Sequence, residues 1–180
     1  MVLSPAAEWR AIEPESGDTG YLFANYVAIL AAIPPVCEFL RHGVFGWRAS
    51  HFHHFHHDGF FSSLFGGLVH YLMTFVVVYA MAVIIDGLAP TFSAPKNQPN
   101  AMKLAVYSMT PAWLAGVFAL IPGLGFLRFI ALLYGVYVFW LGLPILMRPP
   151  PDRAAPYALA VIVCGIVLSL VVAAIVGPVV

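Results

Sequence analysis

Apolar runs of about twenty residues alternate with short polar breaks along most of this chain. The runs fall at about 21–40, 64–85, 102–121, 126–147 and 157–176. At 1.5 Å per helical residue, each is long enough to cross a hydrocarbon core about 30 Å thick. Backbone N–H and C=O groups in lipid have to pair within their own segment, so the pattern predicts five membrane-crossing helices and an all-α integral membrane fold. A head of residues 1–20 precedes them. Within it Trp9 and Ile12 share one face among Glu8, Glu13, Glu15 and Asp18, which predicts a short amphipathic turn with Trp9 anchored at the bilayer edge. The head lacks the basic start and apolar middle of a cleaved signal and is expected to be retained.

The third and fourth runs are joined only by Ile121-Pro122-Gly123-Leu124-Gly125, so they must return antiparallel. Inside the third, Tyr107, Ser108, Thr110 and Pro111 mark an expected kink. Pro111 has no N–H for the carbonyl of Tyr107, and the neighbouring hydroxyls are expected to help satisfy the disturbed backbone. Such a break either lines a site or hinge, as in transporters, or is a packed kink. Pro34-Pro35 is expected to kink or end the first helix, whose Ala24, Ala28 and Ala32 repeat at four as a small-residue face. Ala112 and Gly116 repeat this spacing in the third. The aromatics of the fourth read as packing and interface anchoring.

Composition strengthens the membrane reading. Of 180 residues, 62% are hydrophobic and 9% charged, against about 25% charged in a soluble domain. The net charge of zero offers no basic surface to nucleic acid. Cys37 and Cys164 lie in apolar runs and read as small core residues. With the head inside, Arg10, Lys96, Lys103, Arg148 and Arg153 fall on the inner side, and Arg41, Arg48 and Arg128 on the outer. That bias predicts a cytoplasmic N-terminus and a periplasmic C-terminus in a bacterial inner membrane.

Two candidate sites carry ionisable groups. Residues 43–63 form a segment too polar in its centre to span, with His51, His53, His54, His56, His57 and Asp58 crowded together. On a helix His53 and His57 stand at i and i+4, able to share Zn²⁺ or Cu²⁺, with Asp58 as ligand or as partner of a ring nitrogen. The plainer reading is an interfacial helix, with Phe52 and Phe55 dipping into the acyl boundary and the histidines in water. The second candidate is Glu38 with His70, each near the outer end of its span, where a carboxylate and an imidazole could move a proton or ion. The plainer reading pairs Glu38 with Arg41 or Arg48. Asp86, at the other end, reads as loop-solvated or paired with Lys103. No phosphate loop, H-E-x-x-H, Gly-x-Ser-x-Gly or C-x-x-C occurs, so no enzyme and no cofactor beyond Zn²⁺ or Cu²⁺ is expected.

Three stretches carry a resemblance. They are Glu8-Trp9-x-x-Ile12 leading to Tyr26-Val27-Ala28; Lys103-Leu-Ala-Val-Tyr107-Ser108-x-Thr110-Pro111; and Leu133-Tyr134-Gly135-Val-Tyr137-x-x-Trp140-x-Gly142-Leu-x-x-Leu-Met147, followed by Tyr157. In order and spacing they resemble the bacterial branch of the Yip family, the Ypt/Rab-interacting membrane proteins. The resemblance implies a five-helix membrane domain with a cytosolic N-terminus. Eukaryotic members are linked to Golgi trafficking and Rab GTPases; the short head here argues against GTPase binding, and a trafficking-type adaptor stays an alternative. The expected function is a non-enzymatic membrane-organising protein or accessory subunit, partnered by the bilayer and by other membrane proteins or itself. A small divalent-metal or proton transporter or sensor is the other alternative.

Overall fold

The computed structural model describes residues 4–15, 18–41, 60–121 and 123–177. Among these every regular element is helical. The head helix α1 (Pro5–Ile12) is followed by a first span, Thr19–Phe39, built in pieces: α2 (Thr19–Leu22), a π turn over Phe23–Val27, α3 (Ala28–Leu30) and α4 (Ile33–Phe39). Then come α5 (Phe60–Leu88) with a 3₁₀ turn over Ala89–Phe92, α6 (Gln98–Ser108), α7 (Thr110–Leu114) with a 3₁₀ turn over Ala115–Leu120, α8 (Phe126–Leu146) and α9 (Pro151–Val176). Five stretches are long and apolar enough to cross a membrane: Thr19–Phe39, Leu64–Phe92, Gln98–Leu120, Phe126–Leu146 and Pro151–Val176.

The third span is the centre of the bundle. α6 packs on α5 and α8, and α7 packs on α8 and α4. α9 lies against α5 and α8 and leaves most of its surface outward, with Leu159, Val163, Ile166, Leu170 and Ile175 exposed. In lipid such residues are solvated by acyl chains, so exposure costs them nothing. The aromatics of α8 divide in the same way. Phe126, Phe129, Tyr137 and Trp140 face outward, while Phe139 is buried.

The prolines account for the broken spans. Without an N–H on Pro111, the Met109 N–H tightens onto Val106 O at 3.2 Å, and the helix restarts at Thr110 with Trp113 N–H donating to Met109 O at 3.1 Å. Pro111 stands in the first turn of the new helix, where no donor is needed. Pro34 and Pro35 occupy the same position in α4, so the first span bends at Ala31–Ala32 and continues to Phe39. The π turn above the bend carries Val27 to the interior and leaves Ala24 exposed; the buried face is Leu22, Val27, Ala31 and Pro34, not the alanine repeat.

Gly116 is where the two broken spans touch. A Cβ there would stand 2.7 Å from Pro34 Cα and 2.9 Å from its nitrogen, both backbone atoms with nowhere to go. Gly116→Ala is expected to cost about 1–3 kcal/mol. Gly87→Ala, where a Cβ meets nothing within 4 Å, is the control and should be neutral or slightly stabilising. Unfolding in mixed micelles compares them; equal midpoints would refute the close contact.

The polar connections are stapled. Asp86 Oδ1 accepts from the Asn97 N–H at 2.7 Å, Asn97 Oδ1 caps α6 through the Asn100 N–H at 3.0 Å, and Asn100 Nδ2 donates to Leu146 O at 3.0 Å. The expected Asp86–Lys103 alternative is not the one adopted, because Lys103 is engaged elsewhere.

Candidate functional site: the seat of the N-terminal head

Trp9 is not free to anchor at a bilayer edge, because the head folds onto the bundle. α1 packs on α8, and Trp9 is 0% exposed. Its indole N–H donates to Val138 O at 3.0 Å. The room comes from Gly142, one turn further along α8: any Cβ there would overlap the indole ring and come within 2.8 Å of Leu104 Cδ1. A headgroup region offers Trp9 the same mixture of apolar body and polar tip. The bundle offers both in fixed positions, and Ile12 is buried beside it.

Lys103 holds the other end of the head. Although α6 buries it to 2% exposure, its Nζ reaches Ile12 O and Glu13 O at 3.1 Å each and Glu15 O at 2.5 Å. Those carbonyls close the C-terminal end of α1, where backbone acceptors lack helical partners and the helix dipole is negative. Three acceptors match the three N–H donors of an ammonium group. Arg148, in the left-handed conformation (φ 47°) that ends α8, pairs with Glu13 at the surface. That exposed pair adds at most about 1 kcal/mol.

From Trp9 an aromatic chain runs inward. Tyr107 meets Trp9 edge-on at 6.3 Å and Tyr26 at 4.8 Å. Tyr26 Oη shares a 2.8 Å hydrogen bond with Thr110 Oγ1, joining the π turn of the first span to the break in the third. Thr110 therefore serves the neighbouring span, not the local backbone. Ser108 Oγ is buried without a hydrogen-bond partner among the described residues, and its carbonyl lies where a Cβ on Gly135 would stand, 2.8 Å away. Tyr26→Phe removes one half-buried bond and is expected to cost about 0.6–1 kcal/mol. A loss above about 2 kcal/mol in unfolding measurements would mean that Tyr26 does more than staple two spans.

Of the other candidates, Glu38 pairs with Arg128 on α8 at 2.8 Å, a partner not among the expected Arg41 and Arg48, of which Arg48 lies outside the described residues. His70 is exposed on α5, and its backbone carbonyl accepts from Thr74 Oγ1 at 3.0 Å. The structure does not bring His70 into the Glu38 ion pair. His51, His53, His54, His56, His57 and Asp58 lie outside the described residues. Among the described residues, no three of His, Cys, Asp or Glu gather closely enough to hold a metal.

Trp9 and Lys103 were visible in the sequence but not as partners of each other's surroundings. A lysine inside Met102-Lys103-Leu104-Ala105-Val106, and a glycine amid the aromatics of α8, were the available signals. The seat collects part of the residues on which the resemblance rests, namely Trp9, Ile12, Tyr26, Lys103, Tyr107, Thr110, Gly135 and Gly142, while Leu133, Tyr137 and Trp140 face outward. Tyr157 acts nearby as a staple, stacking on Phe92 at 5.1 Å and donating to Ile85 O.

The Yip1 domain family matches residues 1–173. Inner membrane protein YohC of Escherichia coli (strain K12) is 25% identical over 182 aligned positions, covering 93% of this chain and 90% of that protein. The protein of the same name from E. coli O6:H1 (strain CFT073) matches to the same extent. No solved structure matches. The chain is an integral membrane protein that belongs to the Yip1 domain family.

Proposed function

We propose that this protein works without chemistry of its own, as a membrane-organising protein or accessory subunit of a larger membrane complex. The observation that carries this reading is the filled seat. Tyr26 and Thr110 bond each other where the first and third spans break, and beside them the protein's own head is held by Trp9 on Val138 O and by Lys103 on the carbonyls of Ile12, Glu13 and Glu15. A bundle closed in this way presents packing faces. The outward face of α9, through Ile166 and Leu170, is the surface for a neighbouring transmembrane protein or a second copy. Recovery of the tagged full-length chain from membranes in mild detergent is expected to bring a defined partner or second copy, lost when Ile166 and Leu170 become alanine. Monomer alone overturns the reading.

The inner-membrane name of the E. coli relatives and the positive residues on the head side support an inner-membrane protein with a cytoplasmic head. A phosphatase reporter on the tail should be active and one on the head inactive; the opposite result reverses the orientation. A second reading, a divalent-metal or proton transporter, draws on one observation: two interrupted spans face each other at Tyr26 and Thr110. Metal content of the purified protein, with the five clustered histidines changed to alanine as the comparison, separates the readings. Equal content sinks the metal alternative.

A further inference from the structure

At the end of the bundle away from the head, α4 and α5 do not close on each other. Between them lies a groove of about 240 Å³, lined by Pro35, Val36, Phe39, Leu64, Gly67 and Leu68 with Tyr71 at its inner end. The opening exists because Gly67 has no side chain: a Cβ there would stand 3.7 Å from Pro35 Cβ, in ordinary contact, and anything longer would fill the space. The Tyr71 hydroxyl is turned away, donating to Ala28 O at 3.0 Å, so the lining offers no polar group. From Ala32 to Phe39 it follows the chain through about 10 Å of helix rise, within one leaflet of a core about 30 Å thick.

Beyond the groove, the charged residues described are Arg41, Glu38 and Arg128. Arg41 follows Phe39 by two residues, and Glu38 is paired with Arg128 at 2.8 Å, each about a third exposed. Among the described residues, two guanidiniums thus stand against one carboxylate. The Arg41 Nε is buried with no hydrogen-bond partner among the described residues, and a buried donor in this state calls for an acceptor. We infer that the groove between α4 and α5 seats one acyl chain of an anionic phospholipid, with its phosphate held by Arg41. Lipid tails are already in an apolar medium, so the groove fixes the chain and the guanidinium supplies the selectivity.

The test uses the full-length protein, purified in mild detergent and studied by native mass spectrometry against phosphatidylglycerol and phosphatidylcholine of equal chain length. The wild type is expected to retain one phosphatidylglycerol and to prefer it about fivefold. Gly67→Leu, which fills the groove, should abolish retention of both lipids. Arg41→Gln should keep a bound lipid and lose the preference. Where Gly67→Leu fails to fold, Val36→Trp narrows the groove from its half-exposed side and replaces it. Equal retention of the two lipids by the wild type overturns the inference, as does undiminished binding in the groove-filled variant. So does a groove-filled variant whose only change is loss of a dimer, since the occupant would then be a second copy. These readouts are independent of the head and of any protein partner.

Discussion

Replacing Trp9 with alanine is expected to cost about 3 kcal/mol of stability and to free the head from the bundle. The indole is fully buried, and its truncation removes its packing together with the hydrogen bond to Val138 O. Buried Phe or Trp to alanine costs about 3–5 kcal/mol in soluble cores. The lower end applies here because a freed Trp9 would regain favourable contacts at the membrane interface. Trp9→Phe keeps a six-membered ring but loses the pyrrole half with its N–H, so about 1–2 kcal/mol is expected. Gly142→Ala reaches the same endpoint from the other side, by placing a Cβ inside the indole. Limited trypsin digestion reads the release directly through cleavage at Arg10, while unfolding in mixed micelles reads the energy. If alanine at position 9 left both cleavage and midpoint at wild-type values, the seat would be incidental to the fold.

The parts legible in the sequence were those decided locally. A span announces itself by apolar length alone, because lipid demands nothing else of its surface. The break before Pro111 follows from a missing N–H four residues beyond Tyr107, whatever packs nearby. The head shows where this logic stops. Trp9 and Ile12 mark one apolar face, but the pattern is the same whether lipid or protein covers it. The carbonyl that decides the matter lies 129 residues away. Lys103 is a similar case: as a charge in a membrane run it read as a topology marker and as a partner for Asp86. Its use by the end of α1 depends on a head folded back over α6. The Glu38 ion pair fell to the habit of seeking partners nearby in sequence. Antiparallel spans bring residues 38 and 128 to the same end of the bundle, where Arg128 pairs with Glu38. Thr110 was foreseen as a polar group at a break; its bond to Tyr26 required the π turn that carries Val27 inward and leaves Tyr26 at the junction.

Lys103→Met is expected to release the same head, and its cost should equal the free energy of docking, not the sum of three hydrogen bonds. Methionine keeps an unbranched apolar stem one atom shorter while removing the charge and all three donors. With the head still seated, the carbonyls of Ile12, Glu13 and Glu15 would be left without the Nζ they now share. Ile12 O keeps the Glu15 N–H at 3.1 Å, so the loss falls on the half-buried carbonyls of Glu13 and Glu15, at about 1–3 kcal/mol for each group left unsatisfied, and an undocked head whose carbonyls meet water avoids it. Undocking therefore caps the loss. The cap makes a sharper prediction for the pair. Trp9→Ala and Lys103→Met both empty the seat, so the double variant should lie within about 0.5 kcal/mol of the worse single one, although the two sites are separate. Simple addition of the two losses would mean that Trp9 and Lys103 hold different things, and that the head is not one latch. Lys103→Arg should fail to restore docking, because a planar guanidinium fork cannot present three donors to carbonyls that converge on a single nitrogen.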